Sequence, residues 1–203
     1  MSGLSAWKDY RPPSREAAIN AGSFALNLFI VQTSMLGWYG KTNSEMSKRY
    51  QTYATPAGYA FAIWGYIFLA QTVFTIVQLL PNQPTHRDRL ARAICPFWVA
   101  AQICQVGWTF AFAQEAIILS AILMLGIYVS LTIVILRLHT LAEDAKMGSS
   151  PASWSDWFLC HVPFQVHFAW ITAATLVNLN LLALSLGATL PVQLPPALPA
   201  PGG

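Results

Sequence analysis

Five stretches of the chain run on without Asp, Glu, Lys or Arg: Ala17 to Trp38, Thr55 to Leu80, Ala93 to Gln114, Ala116 to Leu136 and Trp157 to Leu186. A helix crossing a bilayer needs about 20 mostly apolar residues, so each window predicts one membrane span. The segments between them are too short for a separate soluble domain. The expected architecture is an all-α membrane protein with a bundle of five transmembrane helices. A segment at 1–16 precedes the helical domain at 17–186, and a Pro-rich tail follows at 187–203.

The second window opens TPAGYAFAIWGYIF. Thr55 suits an N-cap and Pro56 the first helical position, where its missing N–H costs nothing. At about 100° per residue, Gly58, Ala62, Gly65 and Leu69 fall on one stripe, a seam that lets another helix backbone approach closely. Phe61, Phe68 and Trp64 lie to one side, Tyr59 and Tyr66 to the other. Tyr59 also fits an interfacial aromatic belt. For Trp64, deeper in the span, the residues alone leave packing and pocket lining both open.

The third window puts Gln102, Gln105, Thr109 and Phe112 on one face. Amides are costly in lipid, so that face is expected to look inward, bonding across helices or to a ligand. Only Gln114 and Glu115 separate it from the fourth window, a tight hairpin that sets Glu115 at the membrane surface. The fourth window is nearly all aliphatic and reads as scaffold facing lipid. In the fifth, Pro163, His167, Trp170 and Asn178 group on one side, and His161, Gln165 and Thr172 on another. Pro163 is expected to kink the helix. His167 and His161 are candidates for a metal or tetrapyrrole ligand, although a histidine bonded to a neighbouring helix is the commoner outcome.

Composition agrees with a membrane setting: of 203 residues, 55% are hydrophobic, 13% aromatic and 9% charged. The net charge of +3 is ordinary and points to no nucleic-acid partner. With five spans, Lys8, Arg11, Arg15, Arg87, Arg89, Arg92, Arg137 and Lys146 share the side of the N-terminus, against Lys41, Lys48 and Arg49 opposite. That bias predicts an N-terminus on the cytoplasmic, stromal or matrix-like face, with basic loops against anionic lipid. The start of the chain lacks the pattern of a secretory signal, so the first helix is expected to be retained; a removed transit peptide remains open, as does the choice between an organelle and a bacterial inner membrane. Cys95, Cys104 and Cys160 form no metal-ligand spacing and read as packing residues. The tail LPVQLPPALPAPGG favours an extended polyproline conformation.

Four segments are similar to one family. TPAGYAFAIWGYIF resembles the second-helix motif of the TspO/translocator-protein family, in its longer "tryptophan-rich sensory protein" branch. PFQVHFAWITAATLVN (Pro163 to Asn178) resembles that branch's fifth-helix motif, QVGWTFAF (Gln105 to Phe112) its third, and MLGIYVSLTIVILRL (Met124 to Leu138) its fourth. Gln105 stands where the family usually has Asn, and the chain stops after five helices where longer members often carry more. The resemblance implies a five-helix bundle around an aromatic pocket opening toward the loop between the first two helices. It also implies ligands such as porphyrins, haem-related tetrapyrroles or sterols. Carried over by residue, the pocket comprises Tyr59, Phe61, Trp64, Gln105, Trp108, Trp170 and Asn178, with Trp38 at the mouth by position.

The leading expectation is a binding protein or sensor for a flat hydrophobic small molecule. The alternative is an accessory subunit of a larger respiratory or photosynthetic membrane assembly, or a homodimer, holding chlorophyll, carotenoid or structural lipid. Transport would call for ionisable groups at mid-membrane or broken helices in repeated halves. No nucleophile–base set, carboxylate pair or metal cluster argues for an enzyme. Oxidative porphyrin degradation enters only through the resemblance.

Overall fold

A computed structural model describes residues 10–50, 55–82, 84–147 (backbone only for 144–147) and 154–187. Its helices are α1 (Arg15–Ser34), α2 (Asn43–Arg49), α3 (Ile63–Leu79), α4 (Thr85–Ala113), α5 (Ile117–Met147), α6 (Trp154–Asp156) and α7 (Val162–Ser185). A 3-10 turn, Gly58–Ala62, leads into α3, and a π-helical turn, Trp157–His161, leads into α7. The described residues contain no strand. The expected Pro-rich tail lies outside them, apart from Gly187.

Among the described residues, four helical stretches are long and apolar enough to cross a membrane by themselves: Gly58–Leu79, Thr85–Ala113, Ile117–Glu143 and Trp154–Ser185. The expected bundle is completed by a further helix, α1. Its 20 residues reach about 30 Å, but Asn20, Asn27 and Gln32 dilute its apolar character. The two asparagines do not face lipid. Asn20, Phe24, Asn27 and Val31 recur at helical spacing on the buried face of α1, so this helix hides polarity inside the bundle.

Helices also outrun the charge-free windows. α4 begins at Thr85 rather than Ala93, and α5 continues past Arg137 to Met147. Backbone hydrogen bonding is indifferent to charge once a helix leaves the hydrocarbon, so a window that stops at the first arginine underestimates its length.

The Thr-Pro cap is corrected by the structure. Helical turns start at Gly58 behind Ala57, which makes no side-chain cap. The Thr55 hydroxyl donates instead to the Tyr50 carbonyl at 3.4 Å. The Gly-Ala-Gly seam is a second correction. A Cβ built on Gly58 or Gly65 meets nothing within 4 Å, so none of the described helices packs there. The close approach lies instead between α4 and α5, where a Cβ on Gly126 would come within 2.8 Å of Cys104 Sγ.

The bend expected at Pro163 takes the form of the π turn before it. Pro163 has no N–H to donate, and the Val162 N–H reaches back five residues to the Trp157 carbonyl, widening the helix just ahead of the proline. At the centre of the bundle, Trp98 is fully buried among Phe24, Phe74 and Phe164, with ring centroids 5.2–5.8 Å from its own. Edge-to-face and stacked pairs of this kind add cohesion beyond the area they bury.

Candidate functional site

Above that aromatic centre the bundle opens into a cavity of about 750 Å³. The last turns of α1 supply Val31, Gln32 and Met35, and α4 supplies Gln105 and Trp108. The entry to α3 supplies Phe61, Trp64 and Phe68, with the small stripe of Gly58, Ala62 and Gly65 between them. The stripe's missing side chains are what keep the space open. α2 closes the remaining side through Thr42, Asn43, Ser44, Ser47 and Lys48.

The aromatic wall is braced from behind. Trp64 stacks on Phe68, with centroids 5.3 Å apart and planes at 21°, and meets the ring of Trp170 edge-on at 6.2 Å. Phe61 packs edge-on against the same Trp170 at 6.0 Å. Trp108 stacks on Phe112 at 4.8 Å. These contacts fix ring orientation before any ligand arrives, which lowers the entropy cost of binding a planar molecule. Gln105 is buried, and its Oε1 has no hydrogen-bond partner among the described residues.

A family model described as "TSPO-like protein" matches residues 17–196. The chain belongs to the TSPO-like family. It is therefore an integral membrane protein of that all-α family, as the four motif segments implied. Neither the curated proteins nor the solved structures contain a match to it.

Within this TSPO-like fold, Phe61, Trp64, Gln105 and Trp108 line one cavity, and Trp170 supports two of them. The other sequence candidates fall elsewhere. Tyr59 is 86% exposed and Trp38 63% exposed, and neither lines the cavity. Tyr59 sits on the outer side of the 3-10 turn, about 120° around the axis from Phe61, which is the one that lines the cavity. Trp38 lies in the turns beyond the end of α1.

His167 is 1% exposed and sits behind Trp64, their rings 5.7 Å apart. Its Nδ1 lies 2.9 Å from Gln71 Nε2. An amide N–H2 can only donate, so Nδ1 accepts and the ring is held as a strut between α3 and α7. Asn178 is likewise spent between helices, its Oδ1 accepting from the Ser120 hydroxyl at 3.1 Å. Among the described residues no three His, Cys, Asp or Glu side chains cluster as metal ligands.

Two features escaped the sequence reading. α2 itself was legible, since Thr42-Asn-Ser-Glu45 is a capping box: Glu45 N–H donates to Thr42 Oγ1 and Thr42 N–H to Glu45 Oε2. That backbone donor holds the Glu45 carboxyl below its ordinary pKa. The role of Glu115 was not legible. From its left-handed position in the α4–α5 hairpin, at φ +59°, it pairs with Lys41 and Arg49 and accepts from the Tyr50 hydroxyl at 2.7 Å. One carboxylate thus grips both ends of α2. Gly40 seats the same loop, where a Cβ would fall 2.5 Å from the Ala113 carbonyl oxygen.

Proposed function

We propose that this TSPO-like protein binds a flat, hydrophobic ligand of the porphyrin or tetrapyrrole class in the cavity beneath α2, as a membrane binding protein or sensor. The observation that carries this reading is the cavity's make-up. Its volume of about 750 Å³ lies within the range of roughly 300–1,000 Å³ typical of small-molecule sites. Pre-oriented rings of Phe61, Trp64, Phe68 and Trp108 line it, beside the Gly58, Ala62 and Gly65 stripe, which carries no side chain larger than a methyl group. A rigid plane stacks on such rings with little side-chain entropy lost, while Gln105 and Gln32 offer polar anchors.

Titration of the purified protein with protoporphyrin should give saturable tryptophan quenching. Gly65→Leu is the sharpest variant, because its new side chain enters the cavity without a clash at Cβ. We expect it to fold normally and to weaken binding by at least about tenfold, equivalent to some 1.4 kcal/mol. Wild-type affinity in Gly65→Leu, or non-saturating quenching in the parent chain, would remove the cavity from consideration.

A further inference from the structure

At the opposite end of the bundle, where α1 and α4 begin and α3 ends, a second cavity of about 170 Å³ gathers six side chains able to donate hydrogen bonds, beside Pro12, Pro13, Asp88 and Ala91. Arg11 and Ser14 approach from the α1 side, Thr85, Arg87 and Arg92 from α4, and Gln78 from α3.

Gln78 determines what the cavity wants. Its residue is 6% exposed, and its Nε2 has no partner among the described residues. The orientation of that amide follows from its neighbours. Asn20 Nδ2 lies 3.3 Å from the Ala91 carbonyl, which can only accept, so this atom is the NH2 group of Asn20. The same NH2 donates to Gln78 at 3.1 Å, so Gln78 must turn its oxygen toward Asn20. Its own NH2 is left as a buried, unpaired donor, an arrangement that costs roughly 1–3 kcal/mol unless an acceptor arrives.

The surroundings supply more of the same polarity. α4 starts behind Pro84 with no side-chain cap, which leaves first-turn N–H groups for a ligand beside its acidic residue Asp88. Ser14 spends its oxygen on Ala17 N–H and keeps a hydroxyl proton to donate. Asp88, the one carboxylate in the lining, is engaged by Arg92 at 3.0 Å. Arg92 also lies 4.0 Å from Glu16, and Arg87 uses its Nε on Asp156 at 2.6 Å, leaving its terminal nitrogens. Arg11 has no carboxylate partner among the described residues.

We infer that this cavity binds a phosphate group, carried by an anionic lipid headgroup or as free phosphate. At roughly 30 Å³ per water-sized group, the space holds the five heavy atoms of a phosphate. Its oxygens accept from the Gln78 amide at the inner end, from the first turn of α4, and from Arg11 at the rim. Helix N-termini are ready-made for such a ligand, and basic pockets between membrane helices take lipid headgroups.

The test uses the full chain in detergent, with dioleoyl phosphatidylglycerol and inorganic phosphate as separate probes. Bound lipid is counted by native mass spectrometry, and thermal unfolding is followed by tryptophan fluorescence. A saturable shift with the lipid alone assigns the site to a headgroup, and a shift with inorganic phosphate assigns it to the free ion. Gln78→Glu keeps the oxygen that Asn20 needs but replaces the orphan donor with negative charge. It should weaken the effective probe at least about tenfold, and Arg11→Gln, outside the spans, about threefold to tenfold. Circular dichroism and elution volume establish that both variants fold. The inference is overturned if neither probe shifts the transition, or if both folded variants bind like the parent chain.

Discussion

At Gly126 a single hydrogen atom decides whether α4 and α5 can touch. A methyl group there would meet Cys104 Sγ at 2.8 Å, so Gly126→Ala should destabilise the bundle by about 1–3 kcal/mol. Cys104→Ala in the same chain should restore most of it, as a double-mutant thermal unfolding cycle would show. By contrast, Asn178→Leu removes one interhelical bond to Ser120 and should cost only about 0.5–1.5 kcal/mol, with porphyrin quenching unchanged. The sequence marked Asn178 and His167 as polar and inward, but could not tell a ligand contact from a strut. That distinction depends on Ser120 and Gln71, each on a different helix from its partner. Tyr59 and Trp38 misled for another reason: an aromatic ring suits a pocket and a membrane interface equally well.

Among the elements, α2 is the one whose stability rests least on apolar burial. It is seven residues long, too short to hold as an isolated helix, and Met46 is its only buried side chain. Its position therefore depends on Glu115. Glu115→Gln should free this wall, raising the rate at which a maleimide labels Ser47→Cys in a background lacking the native cysteines. Exchanging the charges as Lys41→Glu with Glu115→Lys should recover part of the protection.

Acid acts on the same helix through Glu45. Its folded pKa lies below the unfolded value because the Thr42 N–H favours the carboxylate. The capping contribution is therefore complete above the unfolded pKa and disappears as pH falls through the folded one. Normalised to a free thiol at each pH, labelling in the same assay should accelerate on acidification, and Glu45→Gln should flatten that dependence. Helix identities were legible from apolar length. Helix ends were not, because a charged residue stops a hydropathy window and not a helix.

Across the whole molecule, the helices place the start of α1 and the end of α7 at opposite ends of the bundle, with Arg87 and Arg92 at the first. Reporter fusions to the two termini should fall on opposite membrane faces, with the N-terminal fusion on the face that retains positively charged loops. The bundle was readable because its periodicity and motifs are local. The cavity's floor and lid were not, since α1, α2 and α4 meet there from distant parts of the chain. A stripe of small residues, moreover, predicts a missing volume without saying whether a helix or a ligand fills it.

Between the two cavities lie the interlocked rings of Phe24, Phe74, Trp98 and Phe164. Rings in mutual contact leave no file of water for ions to follow, and a charge has no favourable foothold among them. The two faces of the protein are thereby insulated from one another. A bilayer should therefore hold its voltage across this bundle.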